Sequence, residues 1–117
     1  MRPIFEIMTF FLFCICFALH AFGESGRKYK LDWYKSDEFL EYHSCGCADS
    51  CWVAELRLKE SKKLKMRLRC DCEKLYITIG SNGSEKIYRD NCRDFQCDET
   101  NCKSERIVKE LRDFSNK

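Results

Sequence analysis

The chain has 117 residues, of which ten are cysteine and 34% are charged, and its formal net charge is +2. This length suits one domain and no more, and a chain of this size buries a smaller share of its surface than a larger one. The composition therefore excludes a multidomain protein with a large apolar core. It favours a small domain stabilised by covalent bridges.

The first 23 residues are typical of a signal peptide. Arg2 supplies a positive charge, residues 10–17 form an apolar core too short to span a bilayer, and the small residues Ala21 and Gly23 precede a cleavage position. We therefore predict a secreted, extracellular product that begins at residue 24. Because no second apolar segment reaches spanning length, we expect no membrane span. The cysteines and the histidine of this leader are removed with it: Cys14, Cys16 and His20.

Residues 24–44 are predicted to form an N-terminal arm that contains a short helix. Arg27 and Lys28 are a candidate processing site, since a pair of basic residues is a common cleavage signal. Ser36 is followed by two acidic residues, which is typical of a helix start. The pattern predicts a two-turn helix to about residue 44, with one face formed by Phe39, Leu40 and His43.

Residues 45–117 are predicted to form a disulfide-stapled α+β domain. They contain all the cysteines of the secreted product, and an even set in a short exported chain indicates a disulfide framework. Each native bridge typically adds about 2–4 kcal/mol to stability. The predicted disulfide residues are Cys45, Cys47, Cys51, Cys70, Cys72, Cys92, Cys97 and Cys102.

Spacing restricts the pairing of these cysteines only slightly. Cys45 and Cys47 are two residues apart, as are Cys70 and Cys72, so neither pair is expected to bridge internally. We expect their partners in the C-terminal trio of Cys92, Cys97 and Cys102. Structural zinc is the alternative, but the C-x-C steps do not match the usual ligand arms, and one histidine remains after cleavage. We therefore expect no metal and no cofactor.

Alternation of apolar and basic residues is clearest in residues 63–70. Leu64, Met66 and Leu68 alternate with lysines and arginines, and a strict period of two indicates a half-buried strand. Residues 52–58 are predicted to form the strand before it, with a turn at residues 60–62. Residues 75–79 and 86–88 are predicted to be the two strands after it.

The turn between the last two strands is predicted at Asn82-Gly83, because this dipeptide accepts the positive φ angles of a tight hairpin. Together with Ser84 it also forms an N-glycosylation acceptor. Asn82 is therefore a candidate glycosylation site, and the secreted product is a candidate glycoprotein.

Ser104 is predicted to cap a C-terminal helix with Glu105 in its first turn. An apolar face at helical spacing is more typical of a core contact than of a partner groove. The fold class we predict is a small disulfide-rich α+β domain, with an antiparallel β-meander over residues 52–88 and a C-terminal helix. The residues of the apolar face are Ile107, Val108, Leu111 and Phe114.

The secreted product retains few residues suited to catalysis. His43 is its one histidine, so a two-histidine ribonuclease-type mechanism is excluded, and a Ser-His-Asp site would have to be built around His43. The sequence contains no G-x-S-x-G motif, no H-E-x-x-H motif and no calcium loop. We therefore predict that no residue is catalytic and interpret His43 as a surface or packed residue.

Positive charge is concentrated in residues 57–69, which contain seven basic residues and one acid, Glu60. On a strand, alternate residues repeat about every 6.7 Å along one face. Such a ridge suits an anionic surface, although an ordinary solvated face that protects a strand from edge pairing has the same appearance. The predicted basic ridge consists of Lys63, Lys65, Arg67 and Arg69.

These patterns predict a secreted, non-enzymatic binding protein, toxin-like or a host- or receptor-directed effector, that acts outside the cell through a basic surface. The expected partner is an extracellular protein, such as an ion channel or receptor, or an anionic glycan. Nucleic acid is not expected, because no stacking platform interleaves the basic run. We expect a monomer. The alternatives are a protease inhibitor that presents residues 59–63 and a small hydrolase that uses His43 or a carboxylate pair.

Overall fold

The computed structural model describes residues 27–97 and 101–117. Within them, six strands form one antiparallel sheet in which each strand pairs with its neighbours in sequence, and one helix follows. The predicted class, a small disulfide-rich α+β domain, is confirmed. The elements are β1 (Tyr29–Leu31), β2 (Glu38–Gly46), β3 (Cys51–Leu58), β4 (Leu64–Asp71), β5 (Leu75–Ile79), β6 (Lys86–Arg89) and α1 (Cys102–Ser115).

The strands predicted from alternation and β-branched content are confirmed as β3, β4, β5 and β6, with bounds that agree to within one residue. Alternation survives in the burial of β4, where Leu64, Met66 and Leu68 are buried and the basic residues between them are half-buried. The predicted signal peptide, residues 1–23, lies outside the described residues.

The short helix predicted before residue 45 is wrong, because this segment forms β2. Leu40 lies opposite Leu56 and Tyr42 opposite Ala54. Burial of alternate residues against β3 therefore determines the structure of this segment, and the helix-start signal at Ser36 does not. The predicted N-terminal arm is therefore a hairpin of the sheet, formed by β1 and β2, and the sheet begins before the boundary predicted at residue 45.

Helix α1 begins at Cys102, two residues before the predicted start, and no side-chain hydrogen bond caps it. The capping role predicted for Ser104 is therefore wrong. The predicted apolar face is confirmed, since Ile107 and Leu111 are buried in the core and Val108 and Phe114 pack against it.

The core lies between one face of the sheet and the layer formed by α1 and a short 3-10 helix, Arg93–Phe95. Trp52 from β3 and Phe95 from the 3-10 helix are almost fully buried, and their ring centroids are 5.4 Å apart. Burying one large apolar side chain contributes about 1.5–3 kcal/mol. Within the part of the chain that the structure describes, this layer covers one face of the sheet and no helix covers the other face.

Four disulfides join all eight cysteines of the described residues: Cys45–Cys51, Cys47–Cys72, Cys70–Cys92 and Cys97–Cys102. As predicted, no bridge closes within a C-x-C step. The expectation that the C-terminal trio supplies the partners holds for Cys70 alone. It is wrong for Cys45, Cys47 and Cys72. The bend after β2 brings Cys45 next to Cys51 and Cys47 next to Cys72.

That bend has an unusual backbone. Gly46, Cys47 and Ala48 have φ angles of 115°, 52° and 50°. Cys72, which follows β4 and is bridged to Cys47, has a φ of 78°. A non-glycine residue in the left-handed region costs about 1–2 kcal/mol. Two disulfides, Cys45–Cys51 and Cys47–Cys72, close over this bend and hold it in place.

The outermost strands of the sheet are its shortest. β1 has three residues and β6 has four, whereas β2, β3 and β4 have eight or nine. Among the described residues, the helices fall short of the length and apolar character that crossing a membrane requires.

Candidate binding surface

The face of the sheet that points away from α1 is here called the open face. Its members follow from the strand register, since cross-strand partners share a face and residues two apart along a strand return to it. One row of partners runs across five strands and is mostly charged: Lys30, Glu41, Glu55, Arg67 and Thr78. The next row toward the bend is His43, Val53, Arg69, Tyr76 and Ile87.

At the centre of the open face, one carboxylate is shared by two guanidinium groups. Arg57 Nη2 lies 2.7 Å from Glu55 Oε2, and Arg67 donates to the same oxygen from Nη2 at 2.8 Å and from Nε at 3.1 Å. Glu55, Arg57 and Arg67 are here called the Glu55 cluster, and they leave one positive charge uncompensated.

The electrostatics of Glu55 follow from these contacts. Its side chain is 8% exposed. Burial alone would raise its pKa, but the hydrogen bonds and positive charges of Arg67 and Arg57 outweigh burial, so the pKa of Glu55 is lowered. Glu55 therefore stays ionised and holds both arginines in fixed positions.

Beside the Glu55 cluster, two ammonium groups lie over one aromatic ring. Lys30 Nζ is 5.1 Å and Lys62 Nζ is 4.9 Å from the centroid of Phe39. Phe39 is 7% exposed but lies outside the core beneath α1. Arg57, which is the cross-strand partner of Phe39, donates from Nη1 to the carbonyl oxygen of Lys62 at 2.8 Å. Lys30, Phe39, Arg57 and Lys62 are here called the Phe39 cluster.

Charge is more balanced at the other end of the open face. Arg69 donates to Glu85 from Nη2 at 2.6 Å and from Nε at 2.9 Å, and its guanidinium lies 4.5 Å from the Tyr76 centroid. The hydrogen bond to Glu85 raises the pKa of Arg69, and the same contact lowers the pKa of Glu85. Asp71 lies next along β4. The excess of positive charge therefore lies in the half of the face around Phe39 and Glu55.

The four residues of the predicted basic ridge do not form one row of unpaired cations. Lys63 is exposed and precedes β4. A bulge in the pairing of β3 with β4 leaves Lys65 without a cross-strand partner, and its ammonium group pairs with Glu38. Arg67 pairs with Glu55 and Arg69 with Glu85. That these four residues contribute to binding stays a prediction.

Lys65 is not an unpaired cation of the predicted basic ridge because its ammonium group pairs with Glu38. The carboxylate of Glu38 also accepts a hydrogen bond of 3.0 Å from the indole of Trp33, which packs against the core. Burial alone would raise the pKa of Glu38, but the contacts with Lys65 and Trp33 outweigh it and lower the pKa. A buried carboxylate without such partners is costly, so Lys65 has a structural role there.

The Phe39 cluster was not predicted from the sequence. Lys30 and Lys62 are 32 positions apart in the chain and meet only because β1 and the turn between β3 and β4 flank the same residue of β2. One signal was available, since Phe39 precedes Leu40 and a strand with two adjacent large apolar residues has one on each face.

The remaining predicted site residues have clear positions. Asn82 is exposed in the turn between β5 and β6, where the Gly83 amide donates to the Gly80 carbonyl at 3.3 Å. The positive φ angles predicted for Asn82 and Gly83 are wrong, because the positive φ of this turn, 77°, is at Gly80. The turn requires a glycine at position 83, since a Cβ there would lie 2.0 Å from the carbonyl oxygen of Ile79. His43 is half-buried on the open face opposite Val53.

A groove of about 560 Å³ lies on the other side of the molecule, between β1 and α1. Leu31, Ser104 and Val108 are among the residues that line it, whereas His43 is not. Within residues 27–97 and 101–117, histidine, cysteine, aspartate and glutamate nowhere gather into a group that could hold a metal ion.

Comparison of the chain with models of protein families, with curated proteins and with solved structures finds no match.

Proposed function

We propose that this chain is a secreted, non-enzymatic binding protein that docks on an anionic extracellular partner through its open face. The observation that carries the proposal is the charge around Glu55 and Phe39. Four cations, Lys30, Arg57, Lys62 and Arg67, adjoin two carboxylates, Glu41 and Glu55. A face with one dominant sign of charge steers an oppositely charged partner and selects against a like-charged one.

The covalent framework supports an extracellular role. Several disulfides in a small domain are typical of proteins that work in oxidising compartments. They also cross-link strands of the sheet to each other and to the segment after β6. A preorganised surface loses less entropy when it binds. Toxin-like proteins and effectors directed at a host or receptor share this construction.

The geometry gives less support to the protease inhibitor that residues 59–63 suggested. The amide of Leu58 donates to the carbonyl of Lys63 at 3.0 Å, and the amide of Lys62 donates to the carbonyl of Leu58 at 3.1 Å. Lys62 also has a φ of 62°. These residues form a closed turn. A substrate-like protease inhibitor, in contrast, presents an extended loop to the protease.

A binding panel tests the proposed function. The protein is expressed through a eukaryotic secretory pathway, and its N-terminus is sequenced, with residue 24 expected first. Binding to a sulfated polysaccharide, to an acidic peptide and to anionic vesicles is then measured over a series of salt concentrations. We expect binding to one member that weakens as salt rises, because screening reduces attraction between charges.

The control for this panel is the same chain after complete reduction and alkylation. It retains every lysine and arginine but loses the folded face. Equal binding by the folded and the reduced chains, or no binding to any member at physiological salt, contradicts the proposal.

We also propose that the secreted product carries a glycan on Asn82. The acceptor Asn82-Gly83-Ser84 is exposed throughout, and it lies in a turn at the end of the sheet. Treatment of the secreted protein with an N-glycosidase should lower its mass by one glycan, and the Asn82→Gln variant should be secreted without it. A secreted wild-type chain of unmodified mass overturns this assignment.

A further inference from the structure

Two of the three cations in the Phe39 cluster form no ion pair among the described residues. Within residues 27–97 and 101–117, the ammonium groups of Lys30 and Lys62 have no ion-pair partner, although both are fixed over the same ring. Since each nitrogen is about 5 Å from one centroid, the two nitrogens are at most about 10 Å apart. Two like charges at this separation repel each other, so an anion that contacts both relieves the repulsion.

Lys62 has a backbone conformation that a lysine rarely adopts. Its φ of 62° lies in the left-handed region, where glycine and asparagine are favoured. The Arg57 side chain fixes this residue by donating to its carbonyl oxygen, and the Lys62 amide donates to Leu58. Such an unfavourable conformation points to a use for the side chain that this position presents.

The form of the surface indicates the class of ligand. Strands in a sheet are about 4.8 Å apart, so the cations from β1 to β4 extend over about 14 Å, which exceeds the reach of one small anion. Protein partners depend on buried aromatic or aliphatic anchors. The exposed large apolar residues lie outside the cluster: Tyr29, Tyr34, Ile79 and Ile87. A linear polyanion, which binds through repeated charges, fits this surface better than a protein does.

We propose that Lys30, Arg57 and Lys62, arranged on the ring of Phe39, form a subsite for successive sulfate groups of a sulfated polysaccharide. The ligand lies across β1 and β2 toward the turn between β3 and β4. The ammonium groups contact sulfate oxygens as compact point charges, and the guanidinium of Arg57 holds the turn in position. This proposal rests on the proposed function and names the chemistry of its partner.

The test compares two variants of equal net charge. Lys30→Gln/Lys62→Gln removes the two ammonium groups of the subsite, and Lys74→Gln/Lys86→Gln removes two that are exposed elsewhere and have no ion-pair partner among the described residues. The probes are a sulfated polysaccharide and its desulfated form, which retains its carboxylates. Unfolding by urea establishes that each variant is folded.

We expect the subsite variant to bind the sulfated polysaccharide at least tenfold more weakly, and Lys74→Gln/Lys86→Gln to bind within about twofold of the wild type. The magnitude of the slope of log affinity against log salt should fall by one to two in the subsite variant alone. With fewer charge contacts, binding releases fewer counterions from the polysaccharide. Lys30→Arg/Lys62→Arg should restore the affinity, and the desulfated probe should bind weakly to every form.

Four results overturn the subsite, and the last two of them separate its failure from that of the proposed function. Equal loss in the two glutamine variants shows that net charge alone matters, and equal binding of the desulfated probe shows that sulfate is not the group recognised. Binding to the acidic peptide or the vesicles but not to the polysaccharide rejects this ligand while the proposed function stands. Absence of binding to every probe rejects both.

Discussion

Thr78 is buried on the open face directly opposite Arg67, and it is 5% exposed. Its hydroxyl has no hydrogen-bond partner among the described residues. A buried polar group without a partner is destabilising, and replacing it by an apolar group of the same shape removes that penalty. Thr78→Val should therefore leave the free energy of unfolding unchanged or raise it by up to about 1 kcal/mol.

The matched control is Ser44→Ala, since the Ser44 hydroxyl donates to the carbonyl oxygen of Cys51 at 3.4 Å. It should lose a few tenths to about 1 kcal/mol in the same urea titration. A Thr78→Val protein that is less stable than Ser44→Ala contradicts this account of the hydroxyl.

Gly83 is needed for steric reasons. A Cβ at this position would lie 2.0 Å from the carbonyl oxygen and 2.9 Å from the carbonyl carbon of Ile79, and backbone atoms cannot rotate away as a side chain can. Gly83→Ala should lower the free energy of unfolding by about 1–3 kcal/mol, as overpacking does. The exposed neighbour Ser81→Ala should change it little, and equal stability of the two variants would argue against a close approach in this turn.

At the scale of elements, the disulfides should differ in what they contribute. Cys70–Cys92 closes a loop of 22 residues between two buried cysteines, whereas Cys45–Cys51 closes a loop of six near the surface. In the chain-entropy model, the longer loop stabilises by about 3 kcal/mol and the shorter by about 2 kcal/mol. Loss of the buried bridge also leaves a cavity in the core.

Removing Cys70 and Cys92 together by alanine should therefore cost more stability than removing Cys45 and Cys51 together. Midpoints of urea unfolding under oxidising conditions provide the comparison, and each double variant retains three bridges. The reverse order of midpoints would mean that the strained bend after β2 depends on its bridge more than the core depends on Cys70–Cys92.

Elements were predictable from sequence where one face of a strand or helix is apolar and the other polar. β4 and α1 meet this condition, and both were predicted. β2 does not, because Phe39 is buried by lysines on the open face while Leu40 is buried in the core. Adjacent apolar residues break the alternation that identifies a strand, and the acids after Ser36 then favour a helix.

The candidate site was less predictable than the fold, because its charges depend on partners that are distant in sequence. Lys65, Arg67 and Arg69 find their carboxylates 27, 12 and 16 residues away. From the sequence alone, the basic residues of this run were therefore predicted to form one continuous ridge. Which cations stay unpaired follows from strand register and from the bulge between β3 and β4, and neither can be derived from composition.

For the whole molecule, paired carboxylates determine the response to acid. Burial would raise the pKa values of Glu38 and Glu55, but their cationic partners lower them, and contact with Arg69 lowers that of Glu85. A carboxylate whose pKa is lower in the folded than in the unfolded chain stabilises the fold above its unfolded pKa. That stability is lost as the pH falls through the folded pKa.

The free energy of unfolding should therefore be nearly constant from pH 7 to about 5 and should fall below the ordinary glutamate pKa of about 4.3. Urea titrations at a series of pH values test this expectation. Glu55→Gln should lower stability at pH 7 and make the decrease in acid shallower, because one of the responsible groups is gone. An unchanged acid response in Glu55→Gln contradicts the role of the Glu55 cluster.

The brevity of β1 and β6 has a consequence for behaviour in concentrated solution. An exposed strand edge offers free amide and carbonyl groups to other chains, and long edges are templates for fibril growth. Among the described residues, β3 and β4 are enclosed, β1 and β6 have only three and four residues, and β1 pairs with residues 40–42 of β2, which leaves a short stretch of β2 open on either side. Because the open backbone is divided into short stretches and does not form one long edge, the native protein should resist amyloid-like polymerisation even when stored at high concentration.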